Sequence, residues 1–158
     1  MSSHLEGHML SRFKIPLIAL AAFAIGQLGP LTWVFWQAAE WRLPQIKAES
    51  LAEPSPFETM SEDVWIAQTQ NAFAIEVKKE KLAPVHLLVI SKQRYETILD
   101  VPADIRGEML NFAVELARAQ GVADSGFRLT TNTNPQGAQT VYHVHIHVIG
   151  GRQMGWLG

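Results

Sequence analysis

The run His143-Val144-His145-Ile146-His147-Val148-Ile149 places three of the chain's six histidines at alternate positions. A strand turns successive side chains to opposite faces, so the imidazoles share one face while Val144, Ile146 and Val148 face a core. Imidazole titrates near neutrality and serves as proton donor, proton acceptor, nucleophile or metal ligand. Three readings are open. In the first, an ordinary half-exposed strand carries the histidines. In the second, neighbouring imidazoles share a metal ion. However, the first and third stand ~13 Å apart along a strand, and no Asp or Glu lies nearby in sequence to complete a ligand shell. In the third, one imidazole is a nucleophile, held in a single tautomer by a bond at one nitrogen and attacking phosphorus or a carbonyl with the other. Flanking histidines would then stabilise the oxyanion or protonate the leaving group. His145 is the candidate, with a histidine on either side. The loop before it supplies Gln139, the Thr140 hydroxyl and backbone N–H groups near Gly137, neutral donors suited to phosphate oxygens.

Around this run the pattern predicts five strands and one long helix. Val64–Gln68 and Ala72–Val77 read as a hairpin across Thr69-Gln70-Asn71, and Pro84–Ile90 as an apolar strand broken only by His86. Ile105, Met109, Phe112, Ala113 and Leu116 recur at helical spacing, with Pro102 at the start and Gly121 just past the end. Phe127–Asn132 and Val141–Ile149 complete the strands, joined by the turn-rich loop 132–139. The helix falls between the third and fourth strands, which predicts an α+β domain with a five-stranded antiparallel sheet.

Formal net charge is −2, so no global basic field supports a nucleic-acid partner. The chain has no cysteine, which excludes thiolate and disulfide chemistry. From Ile15 to Ala39 there is no charged residue, and Trp33, Trp36 and Trp41 gather at one end. That stretch is long enough for an apolar N-terminal helix crossing a bilayer; the alternative is a buried core helix or an apolar arm packed on a partner subunit. Lys47–Pro56 is polar and proline-rich and reads as a linker. Met1–Met9 reads as a vector remnant before a second start, which sets His4 and His8 aside.

The stretch from Gln139 through the histidines to Gly150-Gly151-Arg152-Gln153-Met154 and Trp156 resembles the histidine triad (HIT) superfamily, its Hint branch in particular. The likeness extends to Arg128–Asn132 and Ala83–Ile90 and covers roughly residues 61–158. It implies a HIT-like fold over 57–158, after the vector segment 1–9, the apolar helix 10–42 and the linker 43–56. It also implies a homodimer and metal-independent hydrolysis, without cofactor, of nucleoside 5′-phosphoramidates such as AMP or GMP conjugates, through a nucleotidyl-histidine intermediate. By motif position His145 would be the nucleophile and the His143 carbonyl would fix its tautomer. His147 and Gln139 would hold the phosphate, and Thr140 would contact it or the leaving group. His86 would support the nucleophile, Asn132 would lie near the phosphate and Leu88 would line the base pocket.

The pattern departs from the family at three places. Alternation puts Val77 where the family carries a ribose-binding acid, with Glu76 facing the other way. The family's first helix is rewritten around Phe57–Met60, and Ala138 replaces a common glycine. The expected protein is therefore a membrane-associated hydrolase with its catalytic domain in the cytoplasm, or a soluble cytoplasmic one. The alternative is a non-catalytic nucleotide-sensing or structural HIT module docked to a membrane complex.

Overall fold

A computed structural model describes residues 30–156. The chain divides into two compact units, Met1–Arg42 and Leu43–Gly158. The expected vector segment and most of the apolar run lie outside the described residues. Helix α1 spans Pro30–Ala52 and exposes Trp33, Val34 and Trp41. Among the described residues no helix is long and apolar enough to cross a membrane, so the expected span has no counterpart there. Residues 15–29 are not among those described.

The expected linker over 43–56 is corrected. Helix α1 continues to Ala52 despite Pro44, and a tight turn follows. Long-range bonds explain this. Arg94 donates to Ser50 O at 2.6 Å and to Glu53 O at 2.9 Å, satisfying carbonyls that the last helical turn leaves open. Beyond it, Ser55 N bonds Glu58 Oε2, Phe57 N bonds Ser55 Oγ, and Glu58 N bonds Ser55 O. This turn drives Phe57 inward.

Strands β1 (Trp65–Gln68), β2 (Ala72–Glu76) and β3 (Val85–Ser91) precede helix α2 (Ala103–Ala119); β4 (Phe127–Thr130) and β5 (His145–Gly150) follow. They form one antiparallel sheet in the order β1-β2-β3-β5-β4. The expected α+β fold, with its helix between the third and fourth strands, is what forms. The β1–β2 turn closes on itself through Thr69 and Ala72, while Glu108 of α2 accepts from Asn71 N at 2.9 Å and Asn71 Nδ2 at 2.7 Å.

Alternation sorts the strand residues onto two faces. Met109, Ala113, Leu116 and Ala117 of α2 pack on Ala72, Ala74, Leu87, Val89, Ile146 and Val148. The other face gathers Phe57, Phe73, Ile75 and Ile90, with Met60, Trp65, Leu88 and Val141 beside them. Trp65 stacks on Phe73 at 4.2 Å between ring centroids. The histidines lie on this second face.

Two strand boundaries differ from expectation by two residues or more. β4 stops at Thr130, short of Asn132. β5 starts at His145, not Val141, because residues 142–144 bond elsewhere. Tyr142 N donates to Ser50 Oγ (2.9 Å) and Arg94 Nε to Tyr142 O (3.1 Å). Val144 N donates to Tyr95 O (2.9 Å) and Ser91 N to Val144 O (3.2 Å).

Candidate active site

Antiparallel register fixes what stands beside each histidine. Ile90 lies opposite His145, and Leu88 and Thr130 flank His147 from the two neighbouring strands. His86 is buried one register step away, opposite Ile149. His143 precedes the strand and is also buried. The edges of Phe57 meet His143 and His145 with centroids 5.5 and 5.3 Å apart, and the rings of His145 and His147 are 5.2 Å apart.

The bonds of each ring fix its tautomer. His145 Nδ1 lies 2.8 Å from the His143 carbonyl. A carbonyl only accepts, so Nδ1 carries the proton and the Nε2 lone pair is free. His143 Nε2 donates to Ser91 O at 2.7 Å, which leaves its Nδ1 a buried acceptor without a partner among the described residues.

The other two histidines form a relay. Leu82 N donates to His86 Nδ1 at 3.2 Å, so neutral His86 carries its proton on Nε2. That nitrogen lies 2.9 Å from His147 Nδ1, which therefore accepts, and the two rings stack at 5.2 Å. His147 is left with an Nε2–H beyond the relay. One open lone pair on His145 and one donor on His147 result, without any ring being charged.

Burial favours these neutral forms. Desolvation lowers His145 below the ordinary imidazole range, partly offset by its bond to the His143 carbonyl. His147 is pushed down to about 4, chiefly by burial and then by neighbouring His145 and His86. Burial lowers His143 as well, and His86 by burial and by Lys81.

The structure brings together His145, His147, His86, Leu88 and the His143 carbonyl. His86 bonds His147, not the expected nucleophile. Gln139 is placed differently from expectation. It is buried, its Oε1 accepts from Asn134 N (2.8 Å), and its Nε2 donates to Glu96 O (2.7 Å) and Val141 O (3.2 Å). With both amide ends engaged, it braces the loop and offers no free donor to a phosphate. Asn132 Nδ2 likewise ties the loop, donating to Ala138 O at 3.3 Å. Thr140 is exposed, and Gly137 sits in a short 3-10 turn before Ala138, whose φ is 55°. Glu76 pairs with Lys81 at 2.6 Å and lies opposite Leu87, on the face away from the histidines. No carboxylate from β2 therefore reaches the site.

Sequence reasoning missed Phe57, Thr130 and Arg94. Register arithmetic from the histidines could have found Thr130. Phe57 and Arg94 depend on long-range contacts that carry no local signal.

Among the described residues, no group of three His, Asp or Glu side chains could hold a metal ion.

Sheet order and alternating histidines define a protein of the histidine-triad class. The chain belongs to the HIT domain family, whose model matches residues 59–154. It is 42% identical over 76 residues to a purine nucleoside phosphoramidase of Escherichia coli (strain K12), covering 46% of this chain and 64% of that protein. It is 45% identical over 78 residues to an adenylylsulfatase HINT1 of Arabidopsis thaliana, covering 46% of this chain and 52% of that one. The match thus spans less than two thirds of either relative. Among solved structures, a HIT family hydrolase from Legionella pneumophila Philadelphia 1 superposes with a TM-score of 0.55 at 35% identity, covering 70% of this chain and 94% of that one.

Proposed function

We propose that the protein hydrolyses nucleoside 5′-phosphoramidates or related α-phosphate adducts through a nucleotidyl intermediate on His145. The carrying observation is the 2.8 Å bond from His145 Nδ1 to the His143 carbonyl, which leaves Nε2 as a neutral nucleophile. The names of the Escherichia coli and Arabidopsis relatives support the choice of substrate class.

In this scheme His145 Nε2 attacks phosphorus and the P–N bond opposite breaks. The departing amine takes a proton from solvent. The new imidazolium keeps its Nδ1–H on the His143 carbonyl, which stabilises the charge. His147 Nε2–H donates to a phosphoryl oxygen, where negative charge builds. The exposed Thr140 hydroxyl contacts the phosphate or the leaving group. Water then cleaves the N–P bond of the adduct, releasing the nucleoside monophosphate and restoring neutral His145. No step runs through a metal, so EDTA is expected to leave turnover unchanged.

The test is hydrolysis of a fluorogenic adenosine 5′-phosphoramidate. His145→Ala is expected to lose on the order of 10³-fold or more in kcat; wild-type turnover in that variant would remove His145 from the mechanism. The proposal extends to a homodimer, checked by light scattering, and to membrane contact through residues 15–39, checked by detergent dependence of the full chain.

One observation favours the second reading, a nucleotide-sensing or structural module: Glu76 points away from the histidine face. Calorimetric titration with AMP and GMP separates the two. Binding without turnover supports the sensor, and no binding by the folded chain supports the structural role.

A further inference from the structure

Gly150, Gly151 and Arg152 have no part in the chemistry above, yet the structure gives each a task. A Cβ on Gly150 would stand 3.0 Å from Val122 Cβ and Cγ2, so any larger residue would make Val122 give way by a few tenths of an ångström. Gly151 has φ +84°, and a Cβ there would meet Pro84 Cβ at 3.2 Å. The chain turned in this way brings Arg152 to the connector between β2 and β3. There Arg152 Nε and Nη2 donate to Leu82 O at 3.0 and 2.9 Å, while Nη1 donates to Gln153 O at 3.0 Å. The Leu82 side chain is 54% exposed and packs into no core. The guanidinium fork is thus a principal hold on its backbone. The N–H of the same residue reaches His86 Nδ1, and His86 Nε2 reaches His147 Nδ1.

We infer that Arg152 is a positioning residue: by holding Leu82 it sets the tautomers of His86 and His147 and keeps an N–H of His147 available to the phosphate. The chemistry follows from the donor inventory. With Leu82 N–H withdrawn, nothing prevents His86 from carrying its proton on Nδ1, with Nε2 bare. His147 then donates from Nδ1 to His86, and its own Nε2 becomes a lone pair. A lone pair facing a phosphoryl oxygen repels where the N–H attracts. The relay runs over one backbone residue and two rings, and Lys81 is the charged neighbour acting on His86. The inference rests on the proposed function for its effect on turnover, but not for its effect on the tautomers.

The test uses the full chain labelled with 15N, in wild-type, Arg152→Ala, Arg152→Lys and Leu82→Pro forms. Long-range 1H–15N correlation spectra read which ring nitrogen carries the proton. His86 and His147 are expected as Nε2–H tautomers in the wild type and as mixtures in Arg152→Ala and Leu82→Pro. Turnover of the fluorogenic phosphoramidate is expected to drop about tenfold in kcat, with KM changed less than about twofold, and Arg152→Lys is expected to recover most of it. An unchanged His147 tautomer in Arg152→Ala overturns the inference, whatever happens to turnover or to Leu82→Pro. If the wild type cleaves no phosphoramidate while the tautomers shift as described, the relay stands and the hydrolytic reading falls.

Discussion

His147 offers a quantitative check, because its neutral state is built into the fold. Its ring is half-buried, and its pKa is held at about 4 against an ordinary value of 6.5. The unfolded chain therefore binds a proton between these values that the folded chain refuses. Stability from this source is fully present above about pH 6.5 and declines as pH falls towards 4. Between about pH 7.5 and pH 5 the linkage amounts to about 2 kcal/mol for a shift of this size. Solvent screening of a half-buried ring lowers that to about 1–2 kcal/mol. Urea denaturation of wild type and His147→Asn at the two pH values isolates the contribution. The wild type is expected to lose stability on acidification, and the variant to lose about 1–2 kcal/mol less. His143, His145 and His86 are shifted in the same direction, so both proteins keep a common remaining loss. Equal pH dependence in both, within about 0.5 kcal/mol, would refute the claim that the fold holds His147 neutral.

Three substitutions test the surroundings of the site. Phe57→Ala removes a buried ring whose edges meet His143 and His145, and should cost about 3 kcal/mol in urea denaturation. Gly150→Ala forces a Cβ to 3.0 Å from Val122, and should cost about 1–3 kcal/mol, recovered in part by pairing it with Val122→Ala. Ala138→Gly is expected to raise stability by up to about 1 kcal/mol, because Ala138 occupies the left-handed region at φ 55°; a lower Tm in calorimetry would contradict this.

The sheet and its long helix were legible because alternation and 3.6-residue periodicity survive in β2, β3, β5 and α2. The facing of Glu76 was legible too, since strand parity alone decides it. Other features were written in distant residues. The polar, proline-rich Lys47–Pro56 read locally as a linker, but α1 runs on to Ala52, where Arg94 satisfies the carbonyls at its end. The apolar alternation of Val141–Val144 read as strand, yet those residues bond Ser50, Ser91, Arg94 and Tyr95. Gln139 matched a family position, and its two amide ends found Asn134, Glu96 and Val141 instead. The identities of the histidines were plain in the sequence, and the family resemblance named the His143 carbonyl as the partner of His145; the tautomers of His86 and His147 were not legible, because the Leu82 N–H sets them.

The lacing of Tyr142 to the end of α1 bears on the order of folding. The Ser50–Tyr142 bond spans 92 positions, and it ties down the chain two peptides before the carbonyl that bonds His145. The hairpin β1–β2 and helix α2 can form from local contacts as the chain emerges, but this loop closes only when nearly all of it is present. Contacts of such separation come late and slowly. The segment that carries the His143 carbonyl to His145 is therefore laced to α1 late in folding, after the hairpin and α2 have formed, and its bonds to Tyr95 and Ser91 hold it in the meantime.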